Sequence, residues 1–193
     1  MSDEVVVITP EIEPGSGGLA DYTLRVVREW GDRVSVRYII PRDIDAKALA
    51  AQLPSRGGKV LVQYSAYGFD HFGYPRRLLQ TLGEWKQSSG GLLVIMFHEI
   101  WTFWPVLNKN YLVQQLHRRD LRQLLQRADA VFTSTAGQAE HLRALAPDKQ
   151  VDLLPVGSNI SAVARLTGAR TPGVAVLFGL QGSRLHVLSK MQD

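Results

Sequence analysis

The sequence predicts a doubly wound α/β domain around a mostly parallel sheet, and three observations lead there. Short β-branched runs recur along the chain, and helical patterns fill the intervals between them. Most of those runs are continuously apolar and do not alternate, as in strands buried on both faces of a parallel sheet.

The first run, VVVIT at 5–9, leads into EIEPGSGGLADYTLRVV at 11–27, where Gly15, Gly17 and Gly18 crowd the approach to an amphipathic helix. That helix fits about 18–30, with Leu19, Tyr22, Val26, Val27 and Trp30 on one face and Asp21, Arg25 and Arg28 on the other, a stripe suited to packing on a sheet. VSVRYII at 34–40 and KVLVQY at 59–64 read as the second and third strands, separated by a helix at about 43–53. A helix at about 76–88 precedes the fourth strand, LLVIMF at 92–97, and one at 109–127 precedes the fifth, AVFTS at 130–134. A last helix at 136–146 leads to VDLLPV at 151–156. Strand and helix alternate throughout, which predicts a Rossmann-like domain over 1–156 with its ligands beyond the carboxyl ends of the strands. GSNISAVARLTGARTPG at 157–173 reads as a linker, and VAVLFGLQGSR restarts a strand-then-glycine pattern, so 174–193 is expected to begin a second, incomplete domain.

Composition narrows the function classes. With 193 residues, 45% hydrophobic and 21% charged, the chain suits one folded domain of ordinary size with a fragment of another. A net charge of +4 from 22 basic and 18 acidic side chains is too mild for a nucleic-acid binder, so nucleic acid is not an expected partner. The absence of cysteine excludes disulfides, thiolate metal sites and cysteine nucleophiles, and favours the cytoplasm. The five histidines include no i, i+4 pair, so no metal site is expected. Acids precede the apolar run in MSDEVVVITP, unlike a secretory signal, and no run approaches the length of a membrane span.

The candidate chemistry starts at the glycine loop. Bare backbone at a helix start lets amides approach a phosphate, with the helix dipole adding partial positive charge. A tight turn explains the glycines equally well, and both readings stand. Gly15, Gly17 and Ala20 also fit a loose G-x-G-x-x-A nicotinamide fingerprint, but Pro10 to Pro14 intervene where the fingerprint places its first glycine straight after the strand. QYSAYGFDHFGYP supplies Tyr64, Tyr67, Phe69, Phe72 and Tyr74, and FHEIWTFW supplies Phe97, Trp101, Phe103 and Trp104. These rings are expected at the carboxyl edge, either sealing the core or lining a concave site. His98 and Glu99 end the fourth strand inside that cluster and are candidates for the chemistry, with Asp70 and His71 behind them. Ser134 and Thr135 end the fifth strand and would bond a ligand or cap the next helix. Arg118, Arg119 and Arg122 form a basic arc, read either as a solvated helix face or as a peripheral contact with anionic lipid.

In combination, PGSGGLADYTLRVV, VQYSAYGF, VIMFHEIW, ADAVFTSTAGQAEHL and the LLPVGSN exit before VAVLFGL resemble the amino-terminal half of a glycosyltransferase of the GT-B fold. The chain is most similar to family four, the retaining "group 1" enzymes, over about residues 1 to 180. The resemblance implies that Gly15, Gly17 and Gly18 lie beside the diphosphate of a nucleotide-sugar donor and that His98 lies close to the transferred sugar, with Glu99, from its place at the strand end, as the second catalytic candidate. It implies a carbohydrate or lipid-linked acceptor against Tyr64, Tyr67, Phe69, Trp101 and Ser134, sugar rings stacking on aromatics. The donor is a substrate, and neither cofactor nor metal is implied. Family members hold the nucleotide mainly in a second Rossmann-like domain that carries a glutamate pair and a basic residue. The chain stops before these, so by itself it is expected to be weak or inert, as a truncated form, as one chain of a split enzyme, or as a retained half, in that order. Its expected partners are a separate carboxyl-terminal half or a second copy, and its expected place is the cytoplasm, with contact at the inner face of the membrane. The alternatives are a non-catalytic carbohydrate-binding or partner subunit and, further off, a nicotinamide oxidoreductase.

Overall fold

The structure, a computed structural model, describes residues 3–41, 45–100 and 110–156. Six strands, β1 (Asp3–Ile8), β2 (Val34–Ile39), β3 (Lys59–Ser65), β4 (Leu92–Glu99), β5 (Ala130–Thr133) and β6 (Asp152–Leu153), form one sheet in the order β2-β1-β3-β4-β5-β6. Every pairing is parallel. The connections carry α1 (Gly18–Trp30), α2 (Ala46–Gln52), the single turn α3 (Ala66–Phe69), α4 (Arg76–Ser89), α5 (Tyr111–Arg127) and α6 (Ala136–Leu145). The fold is therefore the α/β, Rossmann-like class that the sequence predicts. The linker at 157–173 and the segment at 174–193 lie outside the described residues.

One face of the sheet is sealed by α2, α4, α5 and α6. Val6, Ile8, Val60, Val62, Tyr64, Leu93, Ile95, Phe97 and Val131 point there from the strands and meet Leu49, Leu82, Leu121, Leu125 and Leu142 from the helices. The two-residue repeat of a strand sends Gln63, Met96 and His98 to the other face. There α1 packs, with Ala20 and Thr23 buried and Tyr22 against His98. Burial on both faces is why these strands lack alternation.

At the amino edge of the strands Asp129 acts as a clamp. Its carboxylate accepts from the amide of Leu93 at 2.7 Å and from Nζ of Lys86 at 2.6 Å, and its own amide donates to the carbonyl of Leu93 at 2.8 Å. Burial raises the Asp129 pKa, but the Leu93 amide and the Lys86 ammonium outweigh it and hold the carboxyl below its usual range. The start of β4 is thereby fixed to α4 and β5. At the carboxyl edge the strand order reverses between β1 and β3, and the crevice a reversal leaves is where such sheets take ligands. Leu82 is fully buried between α4 and the sheet, so Leu82→Ala is expected to lower unfolding stability by about 2–5 kcal/mol, read from urea denaturation.

Candidate functional site

The three glycines before α1 have different tasks. Glu13, Pro14, Gly15 and Ser16 form a turn closed by the Ser16 amide on the Glu13 carbonyl at 3.0 Å, and Gly15 sits there at φ +76°, the left-handed region that glycine favours. The Gly15 amide then donates to Asp21 Oδ1 at 2.9 Å and ties the turn to the helix. Gly17 is in ordinary extended geometry as the residue before α1, and Gly18 begins the helix. Neither needs glycine for its backbone angles. A Cβ on Gly18 would meet nothing within 4 Å, whereas one on Gly17 would strike the carboxylate of Glu11, the movable end of a side chain. No side chain caps α1. The amides of Gly17, Gly18, Leu19 and Ala20 have no acceptor among the described residues, so the helix start carries the positive end of the dipole on uncapped backbone, with the Glu11 carboxylate lying against Gly17.

His98 packs against α1 one turn along from this start. Tyr22, one turn into α1, meets its ring edge-on with centroids 5.0 Å apart. Nε2 bonds Oε1 of the buried Gln63 at 2.7 Å; with the amide oxygen as acceptor, the imidazole carries its proton on Nε2 and keeps a lone pair on Nδ1. Burial lowers its pKa to about 4, so it is neutral near pH 7 and able to accept a hydrogen bond. Its carbonyl is held from the far side by Nε2 of Gln138 at 2.8 Å, while Thr133 Oγ1 donates to Oε1 of the same Gln138 at 2.6 Å. Glu99 is exposed, and its Oε2 accepts from Ser65 Oγ at 2.7 Å across the irregularity where β3 shifts register against β4.

The aromatic residues divide between core and surface. Tyr64 is completely buried, its hydroxyl 2.7 Å from Nε2 of His117, so the expectation that it contacts an acceptor is corrected: even-numbered positions of β3 face the packed side of the sheet. Phe69 is largely buried and Tyr67 is 40% exposed. Both line a groove of about 980 Å³ with Pro41, Leu49, Asp70, His71, Tyr74, Arg76 and Arg77. The glycine loop, His98 and Glu99 are not among its lining residues. Gly68 joins the two regions, since a Cβ there would come within 2.7 Å of Pro10 on the stem of the glycine loop. Ser134 is half-buried and Thr135 caps α6 through the Gln138 amide at 3.3 Å. Trp101 lies outside the described residues.

Sequence reasoning missed the polar set that ties the groove to the core. Tyr74 donates to Asp120 Oδ2 at 2.5 Å and its ring lies 5.5 Å from that of His117, which in turn holds Tyr64. Burial brings the His117 pKa down to about 4 against the opposing pull of Asp120 and Asp70. The available signal was position: His117 shares the inward face of α5 with Leu121 and Leu124.

No protein family, curated protein or solved structure matches the chain. Among the described residues no cluster of three or more histidine, aspartate or glutamate side chains could hold a metal ion, and no helix is long and apolar enough to cross a membrane.

Both buried imidazoles bind their proton near pH 4 when folded and near 6.5 when unfolded. Their contribution to stability is therefore complete above pH 6.5 and lost progressively as the pH falls towards 4. Unfolding midpoints against pH and imidazole NMR titration should show this, and a folded-state titration near 6.5 for either ring would contradict it.

Proposed function

We propose that this chain is the acceptor-side half of a glycosyltransferase that moves a sugar from a nucleotide-sugar donor to a carbohydrate or lipid-linked acceptor. The observation that carries the reading is the uncapped start of α1, where Gly17 and Gly18 lack side chains that their backbone angles would permit, on a helix that packs against a neutral histidine through Tyr22. Four amides without acceptors suit the diphosphate of a donor, whose negative charge grows as the glycosidic bond breaks. His98, with Nδ1 unprotonated, suits a hydrogen bond from a sugar hydroxyl, and Gln63 and Gln138 hold it in place. The groove with Tyr67 and Phe69 offers the aromatic surface on which an acceptor sugar stacks. The second half of the site, including the nucleotide-binding domain, comes from a carboxyl-terminal half, in the same polypeptide or as a partner chain. A place at the inner face of the membrane accords with this reading: Leu112 and Leu116 are exposed on α5, which also carries Arg118, Arg119 and Arg122.

Two substitutions separate phosphate binding from turn formation. With a carboxyl-terminal half supplied, Gly18→Val is expected to lower sugar transfer about a hundredfold or more, the size of one lost transition-state contact, while its melting temperature stays close to the parent's because the added side chain meets open space. Gly15→Ala should behave in the opposite way, losing about 1–3 kcal/mol of stability at its positive φ and keeping turnover per folded molecule. A Gly18→Val protein that transfers sugar normally would remove the phosphate role from this loop.

A further inference from the structure

The groove has a charge arrangement that neither the fold nor sugar stacking explains. Arg76 and Arg77 are the first two residues of α4, a 14-residue helix with no acidic residue in its first turn. Cations at a helix amino end face the positive pole of the dipole, the reverse of the stabilising arrangement. Pro75 precedes them and no side chain caps the helix. Both arginines are exposed, border the groove and have no ion-pair partner among the described residues. Of the nearby carboxylates, Asp70 also lines the groove and accepts from the amides of Phe72 and Tyr74 at 2.9 and 3.1 Å, and Asp120 holds the Tyr74 hydroxyl, which leaves the two arginines as the excess charge of the groove lining. In the same lining, Tyr67 lies over Gly73, where a Cβ would come within 2.8 Å of its ring, and the Tyr74 ring is held against His117.

We propose that this groove binds a phosphorylated acceptor, with Arg76 and Arg77 clamping a phosphate ester while Tyr67 and Tyr74 wall the attached sugar or polyol. The inference deepens the acceptor-side reading above and rests on it. Guanidinium groups pair with phosphate oxygens through two parallel hydrogen bonds, and a bound anion turns the repulsion between two arginines and a helix amino end into three favourable contacts. A local rule broken in a folded domain is expected at functional sites. Such a phosphate belongs either to a soluble sugar phosphate or to the headgroup of an anionic lipid, and the chemistry of recognition is the same for both.

Direct binding to the full chain tests the inference without donor or transfer, so its failure is distinct from failure of the glycosyltransferase reading. Calorimetry compares glucose with glucose 6-phosphate and glycerol 3-phosphate, and sedimentation compares phosphatidylcholine vesicles with and without phosphatidic acid. At least one phosphate-bearing probe is expected to bind ten times or more tighter than its neutral counterpart. Arg76→Gln/Arg77→Gln should abolish that difference, while Arg28→Gln, on α1, retains it. Preference for the soluble esters assigns a sugar phosphate, and preference for the acidic vesicles assigns a lipid headgroup. The double variant should melt at or above the parent temperature, since it relieves repulsion, so lost binding is not lost folding. Equal binding of phosphorylated and neutral probes, full binding by the double variant, or no binding of any probe would overturn the proposal.

Discussion

The parallel pairing of β1 with β2 on one side and β3 on the other governs what gathers at the carboxyl edge. A right-handed crossover from β1 to β2 carries α1 over one face, and the return from β2 past β1 to β3 carries α2 over the other. The connections leaving β1 and β3 therefore part, and each delivers a different structure to the gap between them. From β1 come the stem Pro10, the Pro14–Gly15 turn and the open start of α1; from β3 come α3 and the aromatic segment ending at Arg76 and Arg77. Gly68 against Pro10 is the point where they touch, and a side chain at 68 would force them apart. The β4 strand, one place further along, brings His98 to the α1 side of the same edge.

Two surfaces follow from that geometry. On the α1 side lie backbone amides and a neutral imidazole, and on the α2–α4 side lie an aromatic wall and two guanidinium groups with no ion-pair partner among the described residues. The buried Tyr64 and His117 and the half-buried Tyr74 and Asp120 form a set that runs from β3 to α5, and Tyr74 lines the second surface, so the groove is anchored to the core. In the proposed reaction the first surface handles the donor's leaving charge and the second receives the acceptor.

The element order was legible in the sequence because each strand is an apolar run set between helical patterns, and the six strands appear where those runs stand. The position of His98 was legible too, since a histidine closing a buried strand has to reach the carboxyl edge. What the sequence did not disclose is which way a ring points. Tyr64 and Tyr67 are three residues apart, yet β3 periodicity sends the first into the core while α3 turns the second towards solvent. The same limit applied to the glycines, where composition alone left turn and phosphate readings equal. Backbone angles separated them, giving Gly15 to the turn and leaving Gly17 and Gly18 without a conformational need. His117 was invisible as a polar anchor because its partner Tyr64 lies 53 residues away on β3 and the ring packed against it, Tyr74, comes from the loop before α4.

The central claim is that the start of α1 meets the diphosphate of a nucleotide sugar, and amide NMR measures that contact directly. On titrating a nucleotide sugar into the chain with a carboxyl-terminal half supplied, the Gly17, Gly18 and Leu19 amide signals should shift saturably, together with the ring protons of His98. Plain glucose should leave them in place. Saturable shifts confined to other parts of the domain, with these three amides unmoved, would contradict the account.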